Sequence, residues 1–114
     1  MNELELRCLK FAKGVRDFCR LNKQDTINLV YIKQVVRSSS SIGANYIEAN
    51  EKLGAQDLLM HLKISRKEAK ETQYWLELLD SESNWEERRN SLMQEAEVLK
   101  RIFSAIINKL SVKN

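Results

Sequence analysis

The chain is 114 residues long, with 19 Lys and Arg against 16 Asp and Glu, one His, two Cys, three Gly and no Pro. That length accounts for one domain over residues 1–114. The absence of proline, where average usage would place roughly five or six, excludes a collagenous or proline-linked chain and favours uninterrupted helix.

The three glycines leave too little turn chemistry for a sandwich or barrel. A net charge of +3 does not by itself demand a nucleic-acid partner. The first ten residues mix acids with bases and have no continuous apolar core, unlike a signal peptide or transit sequence, so a cytoplasmic protein is expected. Thr26 to Ile47 is the least charged stretch, yet it holds Lys33, Arg37 and four serines, too polar for a membrane span. Cys8 and Cys19 sit on one predicted helix about 16 Å apart, beyond disulfide reach, and read as two reduced thiols.

The first segment, from about Glu3 to Asn22, repeats Leu4, Cys8, Phe11, Val15 and Phe18 in alternating steps of four and three, the period of an amphipathic helix. Lys13, Arg16, Arg20 and Lys23 lie opposite, with Asp17 the one acid among them. Asp25 or Thr26 is expected to cap the next helix.

The second segment, from about Thr26 to Leu53, has two apolar stripes. Ile27, Tyr31, Val35, Ser38, Ile42, Tyr46 and Ala49 form one, and Leu29, Ile32, Val36, Ser39, Gly43 and Ile47 the other. A helix apolar on two faces is sandwiched between neighbours, which points to self-association as well as to packing within the chain. The run from Ser38 to Ala44 has so little bulk that another helix backbone can come close, and its low helix propensity makes it depend on packing for order.

Gly54 is expected to stop the second helix and Asp57 to cap the third. Leu58, Leu62, Ser65, Ala69, Thr72, Leu76 and Leu79 then keep heptad spacing, the mark of a bundle helix. Residues 80–84 read as a loop. Trp85, Leu92, Ala96, Leu99, Phe103, Ile106 and Leu110 make a fourth helix, with Glu86 and Glu87 in its first turn and Lys109 and Lys113 near its end, as the helix dipole prefers. Four such helices joined by short connections predict an all-α fold, an antiparallel up-down-up-down four-helix bundle.

Chemistry is scarce on this frame. A di-metal bundle site needs inward Glu and Glu-x-x-His pairs, but Leu58 stands three positions before the one histidine, His61, and neither Cys belongs to a Cys-x-x-Cys pair. No metal and no cofactor is expected. No phosphate loop, nucleophile elbow or catalytic triad can be assembled, so the expectation is a non-enzyme.

Two polar groupings stand out. Lys63, Arg66, Lys67 and Lys70 fall at i, i+3, i+4 and i+7, four cations on one face of the third helix. Such repulsion is relieved by an anion, and the candidate is a nucleic-acid surface, extended by Lys13, Arg16, Arg20 and Lys23. The plainer alternative is a solvated face balanced by neighbouring acids. Arg37, Ser41, Asn45 and Glu48 form the second grouping, one line on the second helix, read as a hydrogen-bonded seam at an interface.

The run from Arg37 to Ala49, RSSSSIGANYIEA, resembles the helix-two signature of the bacterial four helix bundle proteins, which include those encoded within intervening sequences of 23S ribosomal RNA genes. The run from Lys67 to Leu79, KEAKETQYWLELL, is similar to the helix-three signature of that family. The chain is also similar to the accessory variability determinant proteins of diversity-generating retroelements. The resemblance implies a ring-shaped homopentamer, and among the retroelement relatives binding to nucleic acid and to a partner reverse transcriptase. Arg37, Ser41, Asn45, Glu48, Glu68, Glu71, Tyr74 and Trp75 match its signature positions. The combined expectation is an oligomeric binding protein presenting its bases to RNA or DNA, or alternatively a scaffold docking a protein partner.

Overall fold

Asn2 opens the first helix of the computed structural model, which describes residues 1–112. Its side chain accepts from the Glu5 N–H at 2.8 Å while the Glu5 carboxylate accepts from the Asn2 N–H at 3.0 Å, a reciprocal capping box. Helix α1 (Glu3–Leu21) buries Cys8, Phe11, Val15 and Phe18 of the predicted stripe together with Cys19, which lay outside it, and leaves Leu4 half-buried. Asp25 caps α2 (Thr26–Ala49) by accepting from the Asn28 N–H at 2.8 Å. Helix α3 (Ala55–Leu78) follows, then one turn of 3₁₀ helix (Ser83–Trp85) and α4 (Glu86–Val112). Lys113, expected near the end of the last helix, lies outside the described residues.

Three boundaries differ from the sequence expectation. Helix α2 ends at Ala49 rather than near Leu53, and Lys52 turns the chain in the left-handed region at φ 61°. Gly54, at φ 130°, is the N-cap of α3 rather than the stop of α2, and it offers no side-chain acceptor. Asp57 therefore lies in the first turn of α3, where a carboxylate still suits the positive end of the dipole. Trp85 belongs to the 3₁₀ turn and not to α4.

All four helices pack against one another around a single core. The most extensive seam is α2 with α3, and the sparsest is α1 with α4. Among the described residues no Cα atom of α1 comes within 8 Å of one of α3, so the two stand at opposite corners of a body measuring 47 × 23 × 21 Å. Val35 and Ile42 of α2, Leu62 and Leu76 of α3, and Leu99 and Phe103 of α4 close the centre with no more than 1% exposure. Each such side chain contributes about 1.5–3 kcal/mol by burial, against about 1 kcal/mol net for a hydrogen bond, so the apolar stripes set the stability.

The low-bulk run of α2 serves both of its neighbours. Toward α1, a Cβ on Gly43 would stand 3.0 Å from the Cys8 Cβ, an approach that glycine alone permits without displacement. Toward α3, the Ser38 and Thr72 hydroxyls pair at 2.8 Å and Ser65 donates to the Ile42 carbonyl at 2.9 Å. The second apolar stripe is thus half used: Ser39 is buried, while Val36 and Ile47 stay 38% and 36% exposed.

Two buried polar side chains tie off the helix ends. Asn28 donates to the carbonyls of Lys23 and Asp80 at 2.8 and 3.1 Å and accepts from the Asp80 N–H at 2.7 Å. Arg89 donates to the carbonyls of Leu76 and Glu77, orphan acceptors of the last turn of α3. Among the described residues no helix is long and apolar enough to cross a membrane.

Candidate nucleic-acid interface

The spacing of Lys63, Arg66, Lys67 and Lys70 puts them on one face of α3, and the packing of α3 on α4 brings Lys100 to the same place. Together these five cations line a groove of about 430 Å³. Lys67 stands 4.0 Å from Glu68, and Lys100 is held at 2.8 Å by Glu97. Among the described residues Lys63, Arg66 and Lys70 form no ion pair. Their mutual repulsion is unrelieved within the chain, and the groove attracts anions.

Glu97 marks the edge of that groove. It accepts from Lys100, from Arg101 at 2.8 Å and from Gln73 at 3.1 Å. Donation from Lys100 and Gln73 holds its carboxyl down to about 2. Sequence reading missed Lys100 because it lies 33 positions beyond Lys67 on another helix; alone, Glu97 and Lys100 resemble an ordinary i, i+3 pair.

The helix-one bases Lys13, Arg16, Arg20 and Lys23 are all exposed. Arg16 and Arg20 approach Asp17 at 3.0 and 3.6 Å, and the Arg16 hydrogen bond lowers the Asp17 carboxyl below its usual range. None of these bases lines the α3 groove.

The polar seam is assembled in part. Arg37 reaches across to α3, with Nη1 at 3.1 Å from Glu68 and Nη2 at 3.3 Å from Glu71. The Glu68 side chain is 7% exposed, so its charge requires this partner. Asn45 pairs with His61 Nδ1 at 3.1 Å and donates to the Ser41 carbonyl at 2.9 Å. Ser41 itself bonds back to the Arg37 carbonyl at 2.8 Å within its own helix, and Glu48 stays exposed. His61 Nε2 lies 3.5 Å from Asp57 one turn earlier on the same helix, so the Asn45 contact ties α2 to α3 while the Asp57 contact stays within α3.

Neither thiol is activated. Burial pushes Cys8 up to about 12 and Cys19 up to about 11, the opposite of a nucleophilic cysteine. No group of three or more His, Cys, Asp or Glu among the described residues could hold a metal ion.

The chain is similar to a crystallised protein of unknown function from the S23 ribosomal protein family of Bacteroides thetaiotaomicron. The two share 30% identity and a TM-score of 0.79, over 91% of this chain and 97% of the other. None of the curated proteins matches it. The family model described as 23S rRNA-intervening sequence protein matches residues 6–105, a span that includes both the Arg37 seam and the α3 cations. The chain belongs to the 23S rRNA-intervening sequence protein family.

Proposed function

We propose that this is a non-enzymatic, cytoplasmic protein that binds RNA or DNA through the α3 groove and works as a homo-oligomer. The observation that carries this reading is the convergence of Lys63, Arg66, Lys67, Lys70 and Lys100 on one groove. Phosphates replace the missing counter-charges there, releasing condensed ions from the nucleic acid.

An antiparallel up-down-up-down arrangement is supported by pairs that run in opposite order along neighbouring helices: Asn2 with Tyr46 and Cys8 with Gly43, and Arg37 with Glu71 and Asn45 with His61. Self-association is supported by Val36, Ser40, Ala44 and Ile47, a weakly polar line on the outer side of α2, and by Leu6 and Leu9 on α1, 51% and 38% exposed. A pentameric ring is what the family resemblance implies. Five copies of a modest groove would then add through avidity.

Fluorescence titration with a structured RNA at two salt concentrations tests the reading. Binding that weakens steeply with salt and is lost in Lys63→Glu/Arg66→Glu supports it. Absence of binding at low salt, or indifference to that charge reversal, refutes it. The exposed apolar line also favours a second reading, a scaffold whose ring docks a protein such as a reverse transcriptase. Capture that survives nuclease and high salt distinguishes that case.

A further inference from the structure

Met60, Lys63, Lys67, Lys70 and Tyr74 succeed one another at steps of three, four, three and four, a single stripe along the outer face of α3. Its two ends are not cationic. Tyr74 is 61% exposed, and its ring is braced edge-on against Trp75, with centroids 5.4 Å apart at 65°. Met60, 49% exposed, borders with Leu59 and Ile64 an apolar hollow of about 450 Å³. Lys63 and Lys67 rim that hollow and also line the cationic groove, so the two concavities adjoin.

We propose that this stripe is a track for an unpaired nucleic-acid strand, with phosphates on the lysines, one base against the Tyr74 ring and another in the hollow beside Met60. The inference rests on the nucleic-acid reading above and names its substrate class. Met60 and Tyr74 are separated by fourteen residues, about 21 Å of helix. A duplex keeps its bases stacked inside and meets such a face with phosphates alone, using the cations and neither end. A strand with unstacked bases uses all three parts, because every base carries a face that packs on an aromatic ring. An acidic amphipathic peptide is the competing occupant; it would fill the hollow and pair with the lysines but has no base to lay against the tyrosine.

Fluorescence anisotropy on the full chain compares a short unstructured RNA, a blunt duplex of the same sequence and an acidic amphipathic peptide. The single strand is expected to bind about tenfold or more tighter than the duplex. Tyr74→Ala and Met60→Ser should each weaken the strand about tenfold and leave the duplex unchanged. Lys67→Glu should weaken both. All three positions are exposed, and retained helicity by circular dichroism shows that the variants fold. Equal affinity for strand and duplex, or silent Tyr74→Ala and Met60→Ser variants, overturns the track while the cationic groove stands. Indifference to Lys67→Glu overturns the groove reading too. Tighter binding of the peptide than of either RNA overturns both and assigns the face to an acidic protein.

Discussion

Asn28 has 0% exposure, and its amide makes three hydrogen bonds, two of them to Asp80, 52 positions away. Asn28→Ala leaves the Asp80 N–H and two carbonyls without that partner. The expected cost is about 1–3 kcal/mol, read as a fall in Tm of about 4–8 °C per kcal/mol. Nothing in the sequence marks this residue, because its partners are set by tertiary packing; locally it is one more polar side chain after a cap. Arg89 escaped notice for the same reason, since it looks like half of an exposed Arg pair until α3 is placed above it. Cys8 was legible on the α1 stripe and Cys19 was not; the structure buries both thiols, and their burial fixes a pH response. Folding raises both from the usual 9.0 to about 12 and about 11, so between those values the unfolded thiols ionise while the folded ones stay neutral. Stability is therefore full below pH 9 and declines as pH rises toward 11 and 12. Denaturant titrations on either side of pH 9, repeated on Cys8→Ala/Cys19→Ala, should show the decline shrink in the variant.

At the scale of the helices, two glycines make a controlled comparison. Gly43 faces the Cys8 Cβ at 3.0 Å, an atom close to the backbone of α1 that cannot swing aside. Gly14 faces only the tip of Leu92, Cδ2 at 3.3 Å. Alanine gains up to about 1 kcal/mol of helix propensity at either position, whereas overpacking costs about 1–3 kcal/mol where the neighbour is rigid. Gly43→Ala is expected to destabilise and Gly14→Ala to be neutral or stabilising, as checked by urea denaturation. A destabilising Gly14→Ala beside a neutral Gly43→Ala would reverse the assignment of the close seam. The stripes of α1 and α3 were legible because a steady step of three and four has one physical solution, a helix with one buried side. The turn between α2 and α3 was not. Gly54 can end one helix or begin the next, and only the backbone angles of Lys52 and Gly54 decide between them.

For the whole molecule, the basic face was legible as four residues and incomplete by one. Periodicity reports on neighbours within a helix, and Lys100 joins the groove only through the packing of α4. The bases of α1 show the converse, since they look like an extension in the sequence yet do not line the groove. Glu97 is the acid paired most closely with a cation of this groove, holding Lys100 at 2.8 Å against 4.0 Å between Lys67 and Glu68. Glu97→Gln should free that cation and tighten RNA binding several-fold at low salt, with a steeper salt dependence because one more phosphate contact is available. Unchanged affinity and slope in the titration would show that Lys100 takes no part.

The two ends of the bundle are unequally tied. At one, Asn28 joins the turn after α1 to the turn after α3. At the other, the start of α1, the end of α2 and the start of α3 surround a cavity of about 590 Å³ lined by Asn2, Asn50, Lys52 and Leu58 among others, and α3 begins without a side-chain cap. Opening has a preferred direction in such a molecule. Amides at the loosely tied end should exchange with solvent through small local fluctuations, while those beside Asn28 wait for larger ones. The helices would then unzip from the cavity toward the asparagine clamp, which would make Asn28 the last contact to break.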